Sequence, residues 1–446
     1  MPSERRRLSK DDVLRKAKEE DVKFIHLLIT DILGATKNIT IPVSRLEKAL
    51  DEGIFFDGSS ILGYATIEES DMRAVPIPET YVIIPWTNDE LRSAMMVCNV
   101  YDHKGRRFEG DPRYVLSRAV EKAKKLGYTM MVGPEFEFFL FKVDDDGNPT
   151  DIPSDYGTYF DLMRDRGDEV RKDIVNYLEM MGYRVEASHH EVAQGQHEID
   201  LVYTDAMTMA DRVSIMKYVI KRTAEMHNLY ATFMPKPIYG QNGSGMHTHL
   251  SLWKDGRNSF YDPSKKYELS DDAMYFIGGL LRYARETCAI LAPCVNSYKR
   301  LVPGYEAPTY ISWANTNRSA LIRVPAGRGD KTRIELRNPD PSGNPYLQFA
   351  VMLTAGLNGI LEEISPPEPV EKDIYHLTEE EKAKLGIKPL PGTLGEAISE
   401  AMSSELIRET LGEHVFHHYF YLKKKEWEEY RAQVHPWELE KYLGIL

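Results

Sequence analysis

The sequence predicts an α+β protein of two domains, a small mixed sheet with one or two helices followed by a larger region of interleaved strands and helices. Three observations carry this. The chain has 446 residues, and at roughly 100–200 residues per domain it is long enough for two or three units with independent cores. Helix-start signatures recur along it, separated by short apolar stretches of strand character. The polar turn Asp102-His103-Lys104-Gly105 and the segment Phe108-Glu109-Gly110 precede a helix start at Asp111-Pro112, which sets a boundary between residues 1–107 and 108–446.

In order, Ser9 and Asp12 form an S-x-x-D capping signature, and Val22 to Thr30 is a β-rich apolar stretch. Gly34 marks a turn. Ser44 and Glu47 predict a second capping box and a helix stopping near Gly53, followed by extended segments at 81–85 and 94–101. The helix opened by Asp111 ends at Gly127, and strands and helices then alternate without internal repeat to about Ile364. Ser365-Pro366-Pro367-Glu368-Pro369 opens a surface excursion, Thr378 and Glu381 cap a short helix, and a final helical region begins near Leu394.

Hydrophobic residues make up 42% and charged residues 28%, an ordinary globular balance, and the net charge of −13 argues against binding a nucleic-acid backbone. Cys98, Cys288 and Cys294 are too scattered for a disulfide framework or a structural zinc site, so a reducing, cytoplasmic setting is expected. Arg5-Arg6-Arg7 is read as a solvated terminus. Asp11 to Asp21 is charged where a signal peptide would be apolar, and no run approaches the ~20 apolar residues of a membrane span.

Pro134-Glu135-Phe136-Glu137-Phe138-Phe139 alternates acid and aromatic, which places both glutamates on one strand face, about 6.6 Å apart. That spacing favours two cations over chelation of one; a wet edge-strand face is the alternative. Glu186, Glu191 and Glu198 follow, and a tight return at Gly195 would bring Glu191 and Glu198 together in an oxygen-rich site suited to Mg²⁺ or Mn²⁺. His189, His190 and His197 are expected to support rather than ligate, since adjacent histidines point apart on a strand. Asn242-Gly243-Ser244-Gly245 lets backbone approach a ligand, and His247 and His249 share one face of the strand after it. Arginines at 318, 323, 328, 333 and 337 crowd an otherwise acidic chain, with Arg333, Glu335 and Arg337 alternating on one face in a pattern suited to phosphate and carboxylate.

Together with Phe56-Asp57-Gly58-Ser59-Ser60, Lys236-Pro237, Lys299 to Pro308 and Asn317-Arg318-Ser319, these segments resemble the bacterial and archaeal type I glutamine synthetases over essentially the whole chain. The resemblance implies a β-grasp domain followed by a catalytic domain with a curved antiparallel sheet. It implies two or more Mg²⁺ or Mn²⁺ ions, one held by Glu137, Glu191 and Glu198 and another by Glu135, His247 and Glu335. Glu186, His249, Ser251, Arg323 and Arg333 would contact ATP; Asn242, Gly243, Arg300, Glu306, Arg318, Arg337 and Ser60 would form the substrate site. Asp57, Glu306 and Arg318 would be catalytic, with Asp57 acting in the neighbouring subunit's site. L-glutamate, ammonium and ATP are the implied substrates, a dodecamer of two hexameric rings the implied assembly, with His435 to Leu446 joining the rings. PII-type regulatory proteins are implied partners, and neither nucleic acid nor membrane is.

Two alternatives stay open at this level: a ligase of the same fold acting on a larger amine such as a polyamine, and a non-catalytic structural or nitrogen-signalling relative. The chain is similar to the shorter branch without adenylylation control, since His376 and Thr378 depart from the pattern flanking the modified tyrosine that Tyr375 would match. That branch usually has Glu where this chain has Leu62 and Arg where it has Thr66. The expectation is weak glutamine feedback, with activation by 2-oxoglutarate as a candidate replacement.

Overall fold

The computed structural model describes residues 8–64 and 70–446. The Arg5 to Arg7 terminus and Thr66 lie outside the described residues. The first sheet runs, edge to edge, Thr36–Pro42, Phe24–Thr30, Ser93–Tyr101, Asp71–Pro76 and Ile54–Asp57, with Val82–Ile83 pairing to Ser93–Tyr101. Phe24–Thr30 and Ser93–Tyr101 pair in parallel, and the other pairings are antiparallel. The helix Lys10–Glu19 forms where predicted, with Ser9 and Asp12 making a complete capping box, and its Val13 and Ala17 join Ile25, Leu27, Ala49 and Met96 in the core beneath. This is the β-grasp arrangement.

The second predicted box does not form. Val43–Arg45 makes a single 3-10 turn after Pro42, so Ser44 falls inside that turn and Arg45 occupies the N-cap of the helix Leu46–Glu52 without a side-chain bond. Glu47 is then one residue too early to reach back to the cap. The predicted stop is met at Gly53, whose φ of 76° is the left-handed geometry glycine tolerates.

The larger unit is mixed α+β, built on a curled sheet of eleven strands among the described residues. Its main path is Trp313–Ala314, Ile322–Arg323, Ile334–Leu336, Met246–Lys254, Thr129–Val143, Gln196–Leu201 and Val185–His190. Pairing is antiparallel except between the first two. The 15-residue strand Thr129–Val143 decides the layout. Its even positions, Met130, Val132, Phe136, Phe138 and Leu140, sink into the main core beside residues of the helices Ala206–Met226 and Pro345–Leu361. The period of two therefore delivers Glu135 and Glu137 to the opposite face.

The two units touch through capping chemistry. Asn344 caps the helix Pro345–Leu361, and its Nδ2 donates to the carbonyls of Asp31 at 3.1 Å and Ile32 at 3.3 Å. Gly34 packs so close that a Cβ there would lie 2.9 Å from Asn344 Cα.

Candidate active site

On the face opposite the helices, three strands bring acids together. Glu135 stands cross-strand from His247 on one side and from Asp200 on the other, and Glu137 stands cross-strand from Glu198. Glu135 Oε2 lies 3.1 Å from His247 Nδ1, and its Oε1 accepts from His249 Nε2 at 2.7 Å. Arg333 Nε donates to His249 Nδ1 at 3.2 Å, which fixes the proton of that ring on Nε2. Burial acts to raise the Glu135 carboxyl, but the two histidine bonds hold it below the usual carboxylate range. For Glu137 and Glu198 burial dominates and the neighbouring carboxylates add to it, so both are pushed well up.

Among the described residues three groups have donor atoms all within 4.8 Å of one another: Glu135, His247 and Glu335; His189, Glu191 and Glu198; and Asp155, His190 and His197. The first is the triad expected from sequence. In the second, His189 stands where Glu137 was expected. Glu137 is turned by bonds from Gln196 Nε2 at 2.8 Å and Gly245 N at 3.0 Å, while its Oε1 stays 3.8 Å from His247 Nδ1. In the third group, Asp155, His190 and His197 are all buried. There His190 bonds Asp155 Oδ1 and the Glu191 carbonyl, and His197 Nδ1 accepts from Arg171, while His197 Nε2 is buried without a hydrogen-bond partner among the described residues.

Asp200 was not among the sequence candidates. Two residues past Glu198 on one strand, it shares that face, and the alternation Glu198-Ile199-Asp200 was the available signal. Its Oδ1 is buried without a hydrogen-bond partner among the described residues, and burial next to Glu135 raises its carboxyl to about 7. So many uncompensated acids on one face fit divalent cations bound by oxygen ligands.

The arginines distribute differently from the strand-face expectation. Glu335, 2% exposed, takes Arg337 Nε at 3.1 Å on one side and Arg323 Nε at 2.5 Å from the next strand on the other, whereas Arg333 serves His249. Arg337 is buried. Its Nε contact lies off the line of a hydrogen bond, and its Nη1 has no partner among the described residues. Such donors suit an incoming anionic oxygen. Arg300, also buried, donates to the carbonyls of Arg337 at 2.9 Å and Asn338 at 3.0 Å, bracing the end of the Glu335 strand. Arg318 is exposed, within electrostatic reach of Tyr159, whose ring packs edge-on against His189 at the rim.

The glycine loop closes one side. A Cβ on Gly243 would meet the Pro235 carbonyl at 2.2 Å, so only glycine fits, and Asn242 Nδ2 donates to Glu306 Oε2 at 3.2 Å. Ser251 is buried and accepts from Trp253, and Glu186 is exposed in the strand Val185–His190. Asp57 ends the first sheet's edge strand Ile54–Asp57, and Ser60 lies in the 3-10 turn Gly58–Ser60 after it. Asp57 Oδ1 accepts from Ser59 and its Oδ2 from Ser60 Oγ at 3.1 Å.

Comparison with known proteins decides the family. Residues 21–103 match the model described as glutamine synthetase, beta-Grasp domain, and residues 109–442 the one described as glutamine synthetase, catalytic domain. The chain belongs to the glutamine synthetase family. A glutamine synthetase of Methanosarcina mazei is 55% identical over 439 residues, covering 98% of both chains, and one of Thermus thermophilus is 54% identical over 441, covering 98% of this chain and 99% of its own. Among solved structures, a GmaS/ADP complex superposes with a TM-score of 0.88 at 32% identity, covering 97% of this chain and 99% of its own. The Plasmodium falciparum glutamine synthetase superposes at 0.86 with 26% identity, covering 97% and 98%. As a glutamine synthetase the chain is a glutamate–ammonia ligase, and ATP-dependent glutamine synthesis and divalent metal ions go with that family.

Proposed function

We propose that the acidic cage carries out ligation of ammonia to L-glutamate through γ-glutamyl phosphate, with Glu137, Glu191 and Glu198 holding one divalent ion, Mg²⁺ or Mn²⁺, and Glu135, His247 and Glu335 another. The observation that supports it best is the gathering on one sheet of the buried Glu137 and Glu198 carboxylates and the half-buried Asp200, whose Oδ1 has no partner among the described residues, with the buried Arg337, whose Nη1 has none either. When bound, the ions supply charge neutralisation and polarisation of the transferred phosphoryl group.

The chain's own residues do the rest. Arg337, with Asn242, Gly243, Arg300 and Ser60, orients glutamate so that a side-chain oxygen faces the γ-phosphate of ATP, which Glu186, His249, Ser251, Arg323 and Arg333 align. Arg318 meets the charge that builds on the phosphoryl oxygens. The bond to ADP breaks as the bond to the glutamate oxygen forms. Ammonium must then lose a proton, which the anionic pocket of Asp57 of the partner subunit, with Glu306, takes; the ammonia attacks the acyl carbon, and the carbon–oxygen bond to phosphate breaks to release inorganic phosphate and glutamine. The segment 303–308 keeps water from the acyl phosphate.

On this reading the enzyme works in the cytoplasm as a dodecamer of two hexameric rings, joined by the helix Pro436–Tyr442 and the apolar tail after it, where Trp437, Leu443 and Leu446 are exposed. PII-type proteins are candidate regulators, glutamine feedback is weak, and 2-oxoglutarate is a candidate activator. Adenylylation is absent from this scheme, in keeping with the Tyr375 hydroxyl being engaged by the Ala307 carbonyl. The test is phosphate release with ATP and glutamate, comparing ammonium with polyamines. Release that requires ammonium and yields glutamine is expected; turnover independent of ammonium overturns the reading.

A further inference from the structure

Three consecutive residues of the 303–308 segment are each held by a different part of the chain. The Tyr305 ring receives the Lys236 ammonium 3.5 Å from its centroid. Glu306 accepts from Asn242, and the Ala307 carbonyl accepts from the Tyr375 hydroxyl. Between the outer two anchors, Glu306 adopts a φ of 57°, left-handed backbone that a side-chain-bearing residue enters only under constraint.

We propose that Lys236 and Tyr375 are positioning residues that preset this flap, holding Glu306 in its left-handed conformation over the glycine loop. The inference rests on the role given to Glu306 above and adds the residues that place it.

Each anchor is itself fixed. Asn296 grips the Lys236 backbone from both sides, accepting from its N–H at 2.6 Å and donating to its carbonyl at 3.0 Å, and Lys236 Nζ donates to the Gln241 carbonyl. Asn296 immediately precedes the short helix Ser297–Arg300 that carries Arg300. An ammonium over an aromatic face is attracted by the ring quadrupole, and more strongly where water is excluded. Lys236 is buried. Burial, with Arg300 nearby, lowers its pKa to about 8, so it is held against a desolvation penalty that the ring and the carbonyl offset. On the other side Tyr375 lies in the 3-10 turn Ile374–His376, whose N-cap Asp373 accepts from the Tyr375 N–H. The hydroxyl is therefore aimed by a rigid turn. Tension between two such anchors explains why the residue between them sits in a sparsely populated backbone region.

The test uses the assembled full-length enzyme and three variants, Tyr375→Phe, Lys236→Met and Lys236→Arg. Hydrogen exchange of a peptide spanning 302–309 should rise about fivefold in Tyr375→Phe and Lys236→Met, the size expected when one anchoring bond is lost from a local opening equilibrium. Lys236→Arg, which keeps a cation over Tyr305, should restore protection. In the coupled assay both loosened variants should release more phosphate per glutamine formed and show a higher KM for ammonium, while the KM for ATP stays within about twofold, since uniform binding elsewhere is untouched. Unchanged exchange in both variants overturns the proposal. The exchange readout needs no turnover, so an enzyme that made no glutamine would refute the functional reading while still deciding the flap.

Discussion

Glu137 and Glu198 stand directly opposite each other on adjacent antiparallel strands, 5% and 6% exposed. Like charges at directly opposed positions destabilise a sheet, and burial sharpens the effect. Relieving the repulsion should therefore stabilise the metal-free protein at the expense of metal binding. Glu137→Gln is expected to raise Tm by about 1–3 °C in chelator, the shift that ~1 kcal/mol produces in a large domain, while abolishing the Tm gain from Mn²⁺ at that site and nearly all activity. Scanning calorimetry with and without metal checks it, and a variant less stable in chelator contradicts it.

The same crowding sets a pH dependence. Glu137, Glu198 and Asp200 have folded-state pKa values above their unfolded values, Asp200 at about 7 against an ordinary carboxylate near 4. For raised groups the stability contribution is complete below the unfolded value and is lost as pH rises through the folded one. Metal-free Tm should thus fall between pH 5 and 8. Bound cations favour the ionised acids, so the Tm gain from Mn²⁺ should widen over that range. A gain independent of pH would show that these carboxylates do not hold the ions.

Glu335→Ala removes a carboxylate shared by Arg323 and Arg337. The predicted loss is several orders of magnitude in kcat, because electrostatic preorganisation supplies most of phosphoryl-transfer catalysis. The geometry adds a stability cost of about 3–5 kcal/mol, that of leaving a buried guanidinium uncompensated. Steady-state kinetics and calorimetry measure the two. More than a tenth of parental turnover would sink the assignment.

On the proposed dodecamer, deleting residues 435–446 should halve the assembly from twelve subunits to six and leave turnover largely intact, because the exposed Trp437 and Leu443 belong to a terminal helix and tail outside the catalytic sheet. Light scattering and the coupled assay decide between this and a merely packed terminal helix, whose loss would leave the mass unchanged.

The resemblance to the shorter branch implies arginine where this chain has Thr66, and a short neutral hydroxyl has neither the reach nor the charge of a guanidinium. Glutamine titration of the purified enzyme should show weak inhibition, with sensitivity gained by Thr66→Arg. Strong inhibition of the parent at low millimolar glutamine would refute this.

Residue order by itself determined whatever depends on near neighbours. Ser9, Asp111 and Thr378 cap the helices they precede, since a cap is a bond across two or three residues. Alternation placed Glu135 and Glu137 on one face, and parted His189 from His190, which the structure sends to the cage and to the Asp155 support. The Ser44 and Glu47 signature misled because a 3-10 turn after Pro42 shifted the helix start, a choice made by packing around it. Tertiary structure alone decided which partners meet across strands: Arg323 rather than Arg333 on Glu335, His189 joining Glu191 and Glu198, and Asp200 beside Glu135. It also decided that Lys236, Asn242 and Tyr375, separated from the flap by more than sixty residues of chain, hold three of its successive residues. No local period encodes such contacts, because they form only when the sheet's register and the loops' closure bring distant segments to the same few ångströms.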